Sequence, residues 1–169
     1  MPNRTKYAYE SDLGLALAEF APRSLLAVGP NAALPLAGYQ FSHPETQVLH
    51  ITEGDWLAQV DATQRFDFVF LSEILEHLPR NKAYALIARL RDLHSQRLYA
   101  LVPLGKAWLN HSSHWEQNDL IGIGLDLVNV YADRGRPVGL FKFDLRTYKT
   151  TPEWFNSKYW AHPELWDKH

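Results

Sequence analysis

Phe66-Asp67-Phe68-Val69-Phe70-Leu71-Ser72-Glu73-Ile74-Leu75-Glu76-His77-Leu78-Pro79 is the stretch on which the reading of this chain turns. Its first six residues are dominated by Phe, Val and Leu and never alternate with polar ones for long. Such a run suits a strand buried on both faces, as in a parallel sheet covered by helices. The polar turn Ser72-Glu73 then leads towards a helix over about Asn81–His94, with Ala83, Ile87, Leu90 and His94 on one face. Leu98–Val102 is the next strand, stopped by Pro103.

Upstream the same alternation holds. Asp12–Phe20 carries Leu13, Leu17 and Phe20 at helical spacing, with Ser11 or Asp12 as its cap and Pro22 as its stop. Ser24-Leu-Leu-Ala-Val-Gly29 reads as a buried strand, Asn31–Gly38 as a short helix and Gln47–Ile51 as a second strand. Asp55 caps a short segment through Trp56, Leu57 and Val60. Downstream, Glu116–Ile123 is a helix, while Leu127–Tyr131 and Val138–Leu145 are strands joined through Asp133–Pro137. Gly135 there supplies the positive φ of an antiparallel hairpin. The expected fold is therefore α/β: a doubly wound Rossmann-like sheet, mostly parallel, ending in an antiparallel hairpin.

Composition limits the classes of function. The 169 residues are 46% hydrophobic and 21% charged, the balance of one globular domain spanning 1–169. A formal charge of −2 provides no positive field for nucleic acid or an anionic membrane. There is no cysteine, so disulfides, thiolate metal sites and cysteine nucleophiles are excluded together. The start, MPNRTKYAYESD, lacks the apolar core of a signal peptide, and the expected location is the cytoplasm.

In an open parallel sheet, ligands bind outside the carboxyl ends of the strands. That rule selects three turns: Gly29-Pro30-Asn31, Thr52-Glu53-Gly54-Asp55 and Ser72-Glu73-Ile74. Glycine at the first allows close backbone approach, and Glu53 or Asp55 at the second accepts hydrogen bonds from sugar hydroxyls. Each turn alone has a purely geometric explanation; their alignment at one edge is what marks a crevice.

The Phe66–Pro79 run closely resembles the fourth-strand motif of class I S-adenosylmethionine-dependent methyltransferases, in which a strand beginning Phe-Asp ends in a polar residue before Leu-Glu-His and a proline. The order of elements matches over roughly residues 20–145. The resemblance implies S-adenosylmethionine laid across the three turns. Its methionine end would lie over Gly29, Pro30 and Asn31, and its ribose would meet Glu53 or Asp55. Trp56 and the Ser72-Glu73-Ile74 turn would flank the adenine and the sulfonium. The methyl acceptor is expected to be a small molecule, with His77 and Glu73 as candidate catalytic groups. Trp108, His111, His114 and Trp115, which follow the strand ending at Pro103, form the expected acceptor wall.

The sequence also departs from that family. Where the first turn usually reads acidic-x-Gly-x-Gly-x-Gly, this chain has Ala27, Val28, Gly29, Pro30, Asn31, Ala32 and Ala33. Between Thr52 and Phe66 there is too little chain for a full helix and strand, so one strand is expected to be reduced. These features motivate a rival reading, a methyltransferase fold acting as a binding or scaffold module without catalysis. His111-Ser-Ser-His114 with Glu116 has possible zinc ligands but reads as capping and turn residues, so no metal is expected. The extension 146–169 interleaves Arg146, Lys149, Lys158 and Lys168 with Tyr148, Trp154, Phe155, Tyr159, Trp160 and Trp166. Packing or a homodimer contact outweighs nucleic-acid binding there, given the acidic balance of the chain.

Overall fold

A computed structural model describes residues 8–53 and 58–148. Six strands form one sheet in the order β2-β1-β3-β4-β6-β5. They are β1 (Ser24–Val28), β2 (Gln47–Ile51), β3 (Phe68–Ser72), β4 (Arg97–Pro103), β5 (Asp126–Asp133) and β6 (Arg136–Asp144). β1 pairs in parallel with β2 and β3, and β3 with β4; β6 runs antiparallel to both β4 and β5. The expected architecture is present, including the shortened segment after β2. Among the described residues between Ile51 and Phe68 there is no further strand.

The sequence of β3 follows from its place. Flanked by β1 and β4 and covered on both faces, all five of its residues are buried. Alternate side chains feed two cores, as a pleated strand requires. Val69 and Leu71 join Leu26, Val28, Leu98 and Ala100 on one face. Phe68 and Phe70 join Leu25, Ala27 and Tyr99 on the other. Each of the Val, Leu and Phe side chains contributes roughly 1.5–3 kcal/mol by leaving water.

The helices close these cores. α1 (Tyr9–Phe20) buries Leu13, Ala16 and Leu17 against the Phe68 face. It begins three residues earlier than the spacing predicts, and neither Ser11 nor Asp12 caps it. Its stop is not Pro22 itself but Ala21, whose left-handed backbone (φ 44°) lets its N–H reach Leu17 O. The helix expected over Asn31–Gly38 is displaced: a 3-10 turn, Leu34–Leu36, leads into α2 (Ala37–Ser42). Pro35 sits in that first turn, where a missing N–H costs nothing. α3 (Arg80–Arg89) continues as a π turn over Leu90–His94, and α4 (Gln117–Gly122) packs Leu120 into the Val69 face. The β5–β6 loop is only Arg134-Gly135, with φ 51° and 76°, the pair of positive values that a tight hairpin turn needs. The chain continues into α5 (Leu145–Tyr148). No helix among the described residues is long and apolar enough to cross a membrane.

Candidate functional site

The first and third turns are built as one piece. Gly29 has φ 132°, and a Cβ there would lie 1.9 Å from the Ser72 carbonyl oxygen. Only glycine lets the two backbones approach so closely. The end of β2 is tied to the same point from the other side, since Gly29 N–H donates to Ile51 O (2.9 Å) and His50 Nε2 donates to Gly29 O (2.7 Å). Asn31 Nδ2 then donates to Glu73 Oε2 at 2.9 Å, bridging the first turn to the third. Glu73 holds a left-handed backbone (φ 58°), a conformation that costs a non-glycine residue about 1–2 kcal/mol and is typical of functional turns. The first and third turns are therefore joined at one sheet edge, with the end of β2 bonded beside them.

Beside the Asn31–Glu73 bridge opens a cleft of about 380 Å³, at the small end of the ~300–1,000 Å³ usual for ligand pockets. It is lined by Asn31, Ser72 and Glu73 of the joined turns and by Tyr9, Leu101, Tyr131, Asp133 and Val138. The topology explains this company. Because β6 runs antiparallel to β4, Val138 pairs with Pro103, and the end of β5 reaches the same sheet edge as the carboxyl ends of the parallel strands. Tyr131 is fixed there by donating its hydroxyl to Asp12 of α1. Tyr9 stacks on Phe70 (6.2 Å, 22°) and meets Tyr131 edge-on (6.4 Å, 66°). Tyr9, Tyr131 and Asp133 were not among the residues the sequence singled out. The hairpin reading contained the signal for the last two, since an antiparallel return must bring its turn to that edge.

The other expected site residues are distributed as follows. Pro30 is exposed at the tip of the first turn, and Glu53 is exposed just beyond β2. Asp55 and Trp56 lie outside the described residues. Ile74, expected to flank the cofactor, has its side chain in the core with Leu75 and Ala83. His77 does not line the cleft. Its ring meets His111 edge-on (5.5 Å), and Nε2 lies 3.9 Å from Glu76 Oε1.

Trp108, His111 and His114 gather into a self-stacked group. Trp108 lies flat on His111 (5.6 Å, 11°), with the Arg136 guanidinium 4.5 Å from the indole centroid. His114 sits 6.2 Å from His111. Burial and the neighbouring His77, His114 and Arg136 charges hold the His111 pKa below its usual value. Trp115 corrects the wall reading outright: it is fully buried, under Arg80 and against Tyr84. Its indole N–H donates to Ser113 Oγ, which donates to Leu75 O. Ser112 and Ser113 N–H groups both donate to Glu76 O. This loop thus clasps the turn after β3. Among the described residues no group of three His, Asp or Glu side chains is placed to hold a metal ion.

Glu76 is the most perturbed acid in this region. Burial, above all, raises its pKa from 4.5 to about 7, with the Glu73 charge adding to the shift and a backbone hydrogen bond opposing it. One carboxyl oxygen, Oε2, has no hydrogen-bond partner among the described residues. The folded state therefore keeps a proton that the unfolded chain has released between pH 4.5 and about 7. Stability falls as pH rises through that window, by about 3 kcal/mol in total, and levels off above it. Urea melts from pH 4 to 8 are expected to show this decline in the native protein and a flatter profile in Glu76→Gln. Identical profiles in the two proteins would contradict the assignment.

Residues 7–169 match the model of a family described as Family of unknown function (DUF6231). The chain belongs to that family. A comparison of this DUF6231 chain with curated proteins finds no match. Solved structures do share its fold. Magnesium protoporphyrin IX methyltransferase (ChlM) from Synechocystis PCC 6803, with bound SAH, superposes with a TM-score of 0.52 at 15% identity, covering 79% of this chain and 82% of that one. The 1,6-didemethyltoxoflavin-N1-methyltransferase of Burkholderia thailandensis, bound to 1,6-didemethyltoxoflavin and S-adenosylhomocysteine, gives 0.56 at 14% identity, covering 82% and 78%. TehB from Haemophilus influenzae gives 0.56 at 11% identity, covering 83% and 63%. At these identities the likeness is one of fold, and the fold of this DUF6231 chain is that of the S-adenosylmethionine-dependent methyltransferases.

Proposed function

We propose that this chain binds S-adenosylmethionine at the joined first and third turns and methylates a small molecule held in the adjacent cleft. The observation that carries this reading is the cleft itself, open at the carboxyl ends of β1, β3 and β4 and lined by Asn31, Ser72 and Glu73. These polar groups suit the charged methionine end and sulfonium of the cofactor. Glu53, exposed beyond β2, would accept hydrogen bonds from the ribose hydroxyls. The bound cofactor supplies an already activated methyl group, so the protein's part is alignment in a site shielded from water. Asn31 and Glu73 orient, Tyr9 and Tyr131 exclude water, and Glu73, the carboxylate on the cleft wall nearest the third turn, takes up a proton where the acceptor must lose one.

A second reading has its own observation. The Asn31–Glu73 bond spans the two turns, Ala27 and Ala33 stand where the methyltransferase motif has its acidic residue and last glycine, and Pro30 between them donates no N–H. These features motivate the reading of a binding module that no longer transfers a methyl group. Calorimetric titration with S-adenosylmethionine and S-adenosylhomocysteine separates the cases. The proposal expects saturable heat with both ligands and about tenfold weaker binding in Asn31→Ala, corresponding to about 1.4 kcal/mol. No heat and no thermal shift at millimolar ligand would overturn it. Binding without turnover on any acceptor class would favour the second reading.

A further inference from the structure

We propose that the methyl acceptor is an organic amine, held as its ammonium ion in the Tyr9–Tyr131–Glu73–Asp133 cleft. This rests on the function proposed above and adds the chemical class of its substrate. The wall is set before any ligand arrives. Tyr131 is fixed by its bond to Asp12 and Tyr9 by its stacking on Phe70, so the two rings are pre-organised and lose little freedom on binding.

The polarity of the cleft selects the ligand. Among the described residues its charged lining is Glu73 and Asp133, with no Lys, Arg or His. Arg136, the first residue after the hairpin turn, lies instead over Trp108. A carboxylate ligand would meet like charge from both Glu73 and Asp133. An ammonium finds two opposite charges and the electron-rich rings of tyrosines, whose attraction for cations adds to that of the carboxylates. Leu101 and Val138 accept an apolar body behind the charged head.

The chemistry is consistent with such an acceptor. The ammonium gives its proton to Glu73, which passes it to solvent. The freed nitrogen lone pair forms the N–C bond as the S–C bond breaks, its electron pair remaining on sulfur, so that a sulfonium becomes a thioether and the amine a methylammonium.

The test uses three probes of one shape: phenethylamine, the neutral 2-phenylethanol and the anionic 3-phenylpropionate. Each is titrated into the full chain with and without saturating S-adenosylhomocysteine. The expected result is at least tenfold tighter binding of the amine than of either other probe. Glu73→Gln and Asp133→Asn, each confirmed as folded by circular dichroism, are expected to weaken it three- to tenfold while leaving 2-phenylethanol unchanged. Raising salt from 50 to 500 mM weakens amine binding alone. Equal binding of alcohol and amine, preference for the carboxylate, or no binding of any probe overturns the inference. If S-adenosylhomocysteine binds and the amine shows no preference, the inference fails while the proposed function stands. If the amine binds and S-adenosylhomocysteine does not, the acceptor assignment falls together with the proposed function.

Discussion

Gly29→Ala is expected to cost about 4 kcal/mol or more, enough to leave much of the chain unfolded at room temperature. The added Cβ would sit 1.9 Å from Ser72 O and 3.1 Å from Ser72 C. Both are backbone atoms at the carboxyl end of β3, whose pairing with β1 fixes them. The φ of 132° adds strain for any L side chain. Gly135→Ala is the control: it too has a positive φ (76°), but nothing lies within 4 Å of its added Cβ. Its cost is expected to be about 1 kcal/mol, the conformational term alone. Urea denaturation of both variants separates the two contributions. Equal and small losses would show that the first turn does not pack on the third as described.

Trp115→Ala is expected to lose about 3–5 kcal/mol, the usual range for deleting a fully buried large aromatic. The indole has no solvent exposure, lies 4.8 Å beneath the Arg80 guanidinium and meets Tyr84 edge-on. Its N–H holds Ser113 Oγ, and through it Leu75 O and the turn after β3. The loss should therefore show twice, in a lowered urea midpoint and in faster proteolysis within residues 104–114. Trp115→Phe keeps most of the volume and is expected to cost about 1–2 kcal/mol, chiefly the hydrogen bond and part of the ring. A Trp115→Ala protein as stable as the native one would place the residue outside the core.

Much of the fold is legible in the sequence because its signals are local. Phe68–Ser72 is buried on both faces, and its unbroken apolar run says so. The Gly135 turn and the run into Pro103 likewise announce the hairpin and the end of β4. What stays illegible depends on partners far along the chain. Tyr131 and Asp12 are 119 residues apart, and nothing beside either residue announces the other. Trp115 looks like a ligand wall from its neighbours His111 and His114, whereas the loop folds back and turns it into the core. Ile74 fails for a related reason: a turn at the sheet edge has an inward side as well as an outward one. Ala21, not Pro22, ends α1 through a left-handed backbone that alanine's own propensity does not announce. The aromatic extension is read from sequence alone, since residues beyond Tyr148 lie outside the described ones.

The central claim is that the joined turns at Gly29–Asn31 and Ser72–Glu73 form a cofactor seat. A crystal structure grown in millimolar S-adenosylhomocysteine tests it most directly. The expected map shows the ligand across both turns, its ribose at Glu53 and its sulfur facing the Tyr9–Tyr131 cleft. A map at those concentrations with the Asn31–Glu73 bond intact and only solvent in the cleft would contradict the claim.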